Sequence, residues 1–306
     1  MAGGIINTGT HPKLLWPGLH AIWGQVFNEH PPEYTDLYDI ETSTQAYEED
    51  VQVTGFGLAP TKPEASSATY DSEVQGPVSR YQHVAYALGY IVSYEELQDN
   101  LYEKVGTRRA KANAFSMDQT IEYFGALPYN KAFTAGVTYA DGSTLVATDH
   151  TMTTGGTQSN RLSPDADLSE ASIEDLTIQM MGITTDRGLL ISLIPQSLHV
   201  ARQEWYNANR IMRSVLQPDS GSNNLNILKA ENVFPRGIKM NHYFTSAHAW
   251  FIRSNAMNGM TFFWREKPRF QQDNDFDTMN AKAFSYMRFS CGGTDTLRAV
   301  FGSNGP

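Results

Sequence analysis

The stretch from Ser93 to Phe124 limits what this chain can fold into more than any other. Ser93-Tyr-Glu-Glu96 has the form of a capping box, in which the Ser93 hydroxyl accepts a first-turn N–H and Glu96 reaches back. Behind it, Leu97, Leu101, Val105, Arg108, Ala112 and Phe115 recur at spacings of four and three, and Ile121 and Phe124 resume the stripe after a small phase shift. This spacing predicts one amphipathic helix, free of proline and stopped at Gly125, with a break at Gly106 as the alternative. At ~1.5 Å per residue it is roughly 45–50 Å long, the width of a compact domain of this size, so the other elements must lie along it as along a spine.

The 306 residues suffice for one large core or two smaller ones, and 41% hydrophobic content with 11% aromatics is that of a folded protein. Twenty-three basic against thirty-three acidic residues leave a charge of −10, which argues against a surface that wraps phosphates. Cys291, the sole cysteine, excludes an intrachain disulfide and a thiolate metal cluster, and predicts synthesis in a reducing cytoplasm. The first thirty residues lack the build of a signal peptide, and no apolar run approaches the ~20 residues that span a bilayer, so no membrane partner is expected.

Residues 1–49 contain Gly3-Gly4, Pro12, Pro17-Gly18 and Pro31-Pro32 around Trp16, Trp23, Tyr34, Tyr38 and Tyr47. Little of this can form a core alone, and an arm so rich in aromatics is expected to bury them on its own body or a neighbour's. From 50 to 92 the pattern becomes two strands, Val51–Gly57 and Pro77–Val92, around a long loop, an extended hairpin that needs a surface to lie on. Asp141-Gly142 signals a hairpin within a strand segment 139–146. Ser172-Ile-Glu-Asp175 caps a second helix with Ile173, Leu176 and Met180 on one face and Gly188 beyond its end. The apolar run Gly188–Pro195 predicts a doubly buried strand. After it, Leu198, Ala201, Trp205, Ala208, Met212 and Val215 predict a helix of about five turns. An exposed turn covers 217–224, and strands are expected at 238–244, 249–253 and through 259–303. Strands drawn from such distant segments make the class α+β, with a separable insertion near 170–255.

Asp273, Asp275 and Asp277 share one face of a strand and are the candidate cation ligands, although Thr278 and Phe284 stand where a calcium loop needs glycine and glutamate. The alternative is a solvated or arginine-paired acidic face. Asp149-His150 is a weak acid–base pair. Gly55-Phe-Gly57 fails as a dinucleotide motif because Pro60 replaces the third glycine, and none of the eight histidines pairs at the spacing of a zinc helix. Arg108-Arg109 with Lys111 forms a basic cluster that is either a solvated face or a match for a neighbouring subunit's acidic loop.

Several segments, in order, resemble the HK97-fold major capsid proteins of tailed bacteriophages, and among them the Mu-like major head subunits. They are Tyr47–Pro60, Tyr94–Asn100, Asp149-His-Thr with Gly155-Gly156, and above all Phe263-Trp-Arg-Glu-Lys-Pro268 followed by Asp273–Asp277. The resemblance implies an HK97-like capsid fold: an N-terminal arm (1–49), an extended β-hairpin loop (50–92) and a peripheral domain with the spine helix (93–169). An axial domain (170–255) and a return to the peripheral sheet (256–306) follow. It also implies a structural protein without enzymatic activity or cofactor, self-assembling into hexamers and pentamers of a virion head around double-stranded DNA that it does not bind specifically. Scaffolding, portal and decoration proteins would be further partners. The subunit contacts expected on this basis are Trp16, Trp23, Tyr34, Tyr38, Leu58, Pro60, Lys62, Arg108, Arg109, Lys111, Pro218 and Asn223. The charge balance suits a wall that contains DNA without adhering to it. An encapsulin-type nanocompartment and a soluble enzyme using Asp273–Asp277 are the competing readings.

Overall fold

The computed structural model describes residues 16–98, 102–216, 225–257, 259–275 and 280–305. Helix α1 (Trp16–Phe27), the single turn α2 (Tyr34–Leu37) and strand β1 (Asp39–Thr42) come first, then the hairpin strands β2 (Tyr47–Val53) and β3 (Gln75–Gln82). Strand β4 (Val84–Val92) leads to α3 (Tyr94–Gln98) and the long helix α4 (Tyr102–Asn130). The short strands β5 (His150–Thr151) and β6 (Thr157–Gln158) precede α5 (Glu170–Met181), β7 (Pro195–Ala201), α6 (Trp205–Arg213) and α7 (Ile227–Ala230). Strands β8 (Ile238–Asn241), β9 (Ala249–Ser254), β10 (Met260–Asn274) and β11 (Ala281–Gly293), the turn α8 (Thr296–Ala299) and β12 (Val300–Asn304) follow.

Helix α4 is the spine; the stripe holds at Ile121 and Phe124, but before them the buried face is not the one the sequence predicts. Ala110, Ala114, Met117, Ile121, Ala126 and Tyr129 face inward, whereas Ala112 is exposed and Phe115 is 49% exposed. The first sheet already fills the core with Phe262, Trp264, Phe270 and Phe289, so the helix supplies mainly small residues where it approaches them. Leu97, Leu101 and Val105 lie outside the residues whose side chains are described. At the start, Ser93 Oγ accepts the Glu96 N–H at 3.3 Å, but the Glu96 carboxylate takes the Arg109 guanidinium at 3.2 and 3.1 Å and does not reach back.

The helix runs through Gly106 and past Gly125, where a Cβ would come within 2.9 Å of Tyr34 Cβ; there glycine serves close packing and not a stop. It contains Pro128, which cannot donate to the Phe124 carbonyl, and the Cys291 thiol donates to that oxygen instead, at 3.4 Å. The helix ends two residues later.

The first sheet has the order β1-β10-β11-β4, with β1 parallel to β10 and the other pairs antiparallel. The register of β10 slips between Trp264 and Arg269, the stretch holding Pro268, because proline brings no donor to the ladder. The predicted strand 77–92 is two strands that part at His83: β3 pairs only with β2, and β4 pairs with β11. The buried His83 ring bridges Ser290 Oγ at 2.9 Å and Ser43 Oγ at 3.0 Å and fixes the crossing point.

The second sheet, β12-β9-β7-β8, is covered by α5 through Ile173, Leu176 and Met180, which meet Leu198, Val200, Trp250, Ile252 and Phe301 in one core. Helix α5 begins at Ser169, whose side chain and that of Ser172 cap each other's backbone, and it ends at Gly182 instead of Gly188. The run 188–194 is not a strand, and its Leu190 is 76% exposed; the buried strand starts at Pro195. Leu198 to Ala201 therefore belong to β7, and the predicted long helix shrinks to the nine residues of α6. β7 lies inside its sheet and is buried on both faces, so apolar residues at successive positions imitate a helical stripe. Residues 139–146 form a turn around Gly142 (φ 84°), not a strand. β12 pairs with β9, in the second sheet, while β10 and β11 belong to the first.

Candidate functional site

The hairpin 47–82 carries most of the exposed apolar surface of the N-terminal third. β2 and β3 pair only with each other, from Tyr47–Gln82 to Val51–Val78, and Val51, Val53 and Val78 stay exposed. At the tip, Leu58 is 84% and Tyr70 is 93% exposed, beside Phe56. An isolated two-stranded ribbon is marginal in water, and apolar tips of this kind point to a covering partner. The tip has its own pin: the Asp71 carboxylate accepts the Gly57 and Ser72 N–H groups at 2.9 and 2.8 Å, and these bonds lower its pKa.

The base is anchored to the body. Gln52 Nε2 donates to Thr294 O at 2.5 Å, Tyr81 Oη meets Thr294 Oγ1 at 2.6 Å, Ser79 Oγ donates to Gly293 O at 3.3 Å, and Arg187 donates to Ser72 O. Burial around that anchor pushes the Tyr81 phenol up to about 12. A fixed base with an apolar, uncovered tip is the geometry of a reaching arm.

The expected contact residues divide into two groups. Leu58, Pro60 and Lys62 lie on the exposed tip, and Arg108 and Lys111 are exposed on α4. The arm's aromatics behave otherwise and lie on the chain's own body, the first of the two placements expected of them. Trp23 is buried in the chain's own core, stacked between Phe27 and Phe270 with ring centroids 5.0 and 5.8 Å away, and its indole donates to Asn113 Oδ1 at 3.0 Å. Tyr38 is buried and donates to Gly125 O at 2.7 Å, and Tyr34 packs on Phe262 at 4.7 Å. Large amphipathic rings found partners within reach, so Trp23 and Tyr38 keep almost no free surface while Tyr34 stays half-buried. Arg109 is likewise engaged within the chain, on Glu96 and the Ile91 carbonyl. The side chain of Trp16, and Pro218 and Asn223 altogether, lie outside the described residues.

The polar clusters are structural in their geometry. Asp275 pairs with Lys282 at 2.5 Å, and Asp273 stands opposite Lys282 in the β10–β11 register; Asp277 lies outside the described residues. No group of three metal-ligating side chains occurs among the described residues. His150 turns away from its exposed neighbour Asp149. It is 1% exposed, with Nδ1 on Asp141 Oδ2 at 2.5 Å and Nε2 on Asn160 Oδ1 at 3.0 Å, beside a cavity of about 20 Å³ that no substrate could enter. A groove of about 500 Å³ runs between β3, β4, β11 and the end of α4, with Phe124, Val137 and Tyr139 in its wall and Lys131 and Arg80 among its lining residues. Burial pushes the half-buried Cys291 thiol in that wall up to about 12, which makes it a poor nucleophile.

Sequence reasoning missed Glu122. It is buried on α4, accepts the Glu33 and Tyr34 N–H groups at 2.8 and 3.0 Å, and so caps α2. Desolvation, helped by the nearby Glu33 and Asp118 charges, raises its pKa to about 7 against the pull of those two bonds. The available signal was a pair of carboxylates, Asp118 and Glu122, one turn apart on a helix bearing few other charges in its second half.

Comparison with solved structures defines the class of fold. The chain superposes on the virus-like particle protein of Pyrococcus furiosus at a TM-score of 0.53 and 9% identity, over 94% of this chain and 98% of that one. It superposes on a chain from Mycobacterium phage Patience at 0.52 and 11% identity, over 97% and 88%. The capsid of Myoviridae Phage XM1 gives 0.50 and 13% identity, over 99% and 100%. No protein-family profile and no curated protein sequence matches the chain. The fold is therefore the α+β, HK97-like capsid fold over essentially the whole length, reached at sequence identities too low to carry more than architecture.

Proposed function

We propose that this chain is the major structural subunit of a closed protein shell, the head of a tailed bacteriophage that encloses double-stranded DNA. The observation that carries this reading is the hairpin 47–82: its base is tied to the body, its apolar tip is exposed, and it stands on a fold shared with a phage capsid and a virus-like particle. A shell subunit works through interface area, and many weak repeated contacts add up through effective concentration. In this reading Leu58, Pro60 and Lys62 reach a neighbouring copy, Arg108, Lys111 and Phe115 form part of the surface the spine offers, and the region around the second sheet lies toward the capsomer centre. Assembly into hexamers and pentamers takes place in the host cytoplasm, and no step is catalytic. The motifs at 47–60 and 263–277 favour the Mu-like group of head subunits.

The test is removal of residues 58–70, which spares the anchored stretch from Ser72 onward. The expected result is a folded, helix-containing subunit that forms no shells under negative-stain microscopy, while the unaltered chain does. Normal particles from the shortened chain would overturn the assignment of the hairpin as a lattice contact. The likeness to the Pyrococcus furiosus particle supports a second reading, a nanocompartment around protein cargo, and analysis of purified particles for DNA or enclosed protein separates the two.

A further inference from the structure

Residues 33–39 carry acids at every third position, Glu33, Asp36 and Asp39, and each meets a basic side chain from the second sheet or the residue just after its edge strand. His242 donates to Glu33 from its backbone N–H at 2.9 Å and through Nδ1. Lys239 Nζ lies 3.0 Å from Asp36 Oδ1. Arg253 Nη2 lies 2.6 Å from Asp39 Oδ1, and its Nη1 donates to Asp36 O at 3.1 Å. The opposite side of the same segment is bound to the spine by a different kind of contact. Glu122 holds the Glu33 and Tyr34 N–H groups, Tyr38 donates to Gly125 O, and Tyr129 donates to Leu37 O at 2.9 Å.

We propose that this strap is a one-sided clasp: it stays with the spine and first sheet while its ionic side releases and re-engages the second sheet. The two sides differ in how water reaches them. The spine side is buried in the core, where Leu37 and Tyr38 are almost wholly covered. On the other side the Lys239 and His242 side chains are 36% and 56% exposed, so salt screens those two pairs. Arg253 is the exception, only 6% exposed, and acts as the pivot about which the two outer pairs open. The clasp lets the strap loosen on one side when a subunit sits in rings of different curvature, while Tyr129 and Phe251, 5.2 Å apart, keep the second sheet packed on the spine. That use rests on the shell reading; the clasp itself does not.

Hydrogen exchange on the full chain, kept unassembled at one fixed pH, reads both sides at once. The His242 amide reports the ionic side, and the Glu33 and Tyr34 amides report the spine side. Raising the salt from about 0.02 M to about 1 M should speed exchange at His242 about fivefold and leave Glu33 and Tyr34 unchanged. Asp36→Lys should reproduce that acceleration at low salt, and Asp36→Lys with Lys239→Asp should reverse it. Equal acceleration of all three amides, or none at His242, overturns the clasp, and the salt series on the unaltered chain decides even if the variants do not fold. Particles that form normally while the amides fail this test leave the shell reading intact. A chain that passes the test yet makes no shells retires the shell reading alone.

Discussion

Glu122 is the residue where burial and hydrogen bonding oppose each other most directly. Its folded pKa of about 7 lies above the ordinary 4.5, so its contribution is fully present below the unfolded value and is lost as the pH rises through 7. The buried His199, pushed down to about 3 by desolvation, works in the opposite sense, losing stability as the pH falls below its ordinary 6.5. The raw melting profile of the protein therefore mixes the two, and the informative quantity is a difference. Glu122→Gln copies the protonated carboxyl, so its stability should match that of the unaltered chain at about pH 3.5 and exceed it at pH 8, by an amount of order 2 kcal/mol that appears as a higher melting temperature. A variant that melts lower at pH 8 would show that the two backbone bonds outweigh the desolvation. The carboxylates of Asp118 and Glu122 were visible in the sequence. Their meaning was not, because the amides that Glu122 meets lie 88 and 89 residues away.

At the scale of elements, what could be read depended on how each segment is buried. β10 and β11 alternate bulky and polar residues and were legible; β7 was not, since a strand covered on both faces leaves no alternation to read, and the exposed run before it imitated one. The spine was legible as a helix but not in its phase, because an aromatic sheet selects small helical residues, and alanines spread along α4 carry little directional information. The hairpin was legible as a two-stranded ribbon around a long exposed loop from its strand patterns and the prolines between them. The arm was expected on either body; its helix α1, which the Gly- and Pro-punctuated sequence did not suggest, lies on its own, and that makes a sharp prediction. Trp23→Ala should cost roughly 3–5 kcal/mol. In hydrogen exchange α1 should lose protection while the second sheet keeps it. Unchanged protection of α1 would mean that Phe27 and Val26 alone hold it. The shortened hairpin, by contrast, is expected to leave the melting temperature within a few degrees of the original, since its tip contributes nothing to either core.

For the whole molecule, a net charge of −10 on a folded subunit sets the expectation for nucleic acid. At about 0.15 M salt the unassembled chain should show no measurable retention on double-stranded DNA, and a steep salt dependence of binding would contradict a wall that merely contains its contents. The long-range pairings also carry a consequence for how such a subunit comes into being. β1 has to wait for β10, more than two hundred residues downstream, and the second sheet lacks one of its four strands until residues 300–304 have been made. A ribosome still short of that point holds a polypeptide whose Phe251 and Ile252 have no covering strand, so partly translated copies cannot yet present a finished surface to one another. In the shell reading, strand order alone would thus keep synthesis and lattice growth apart in time.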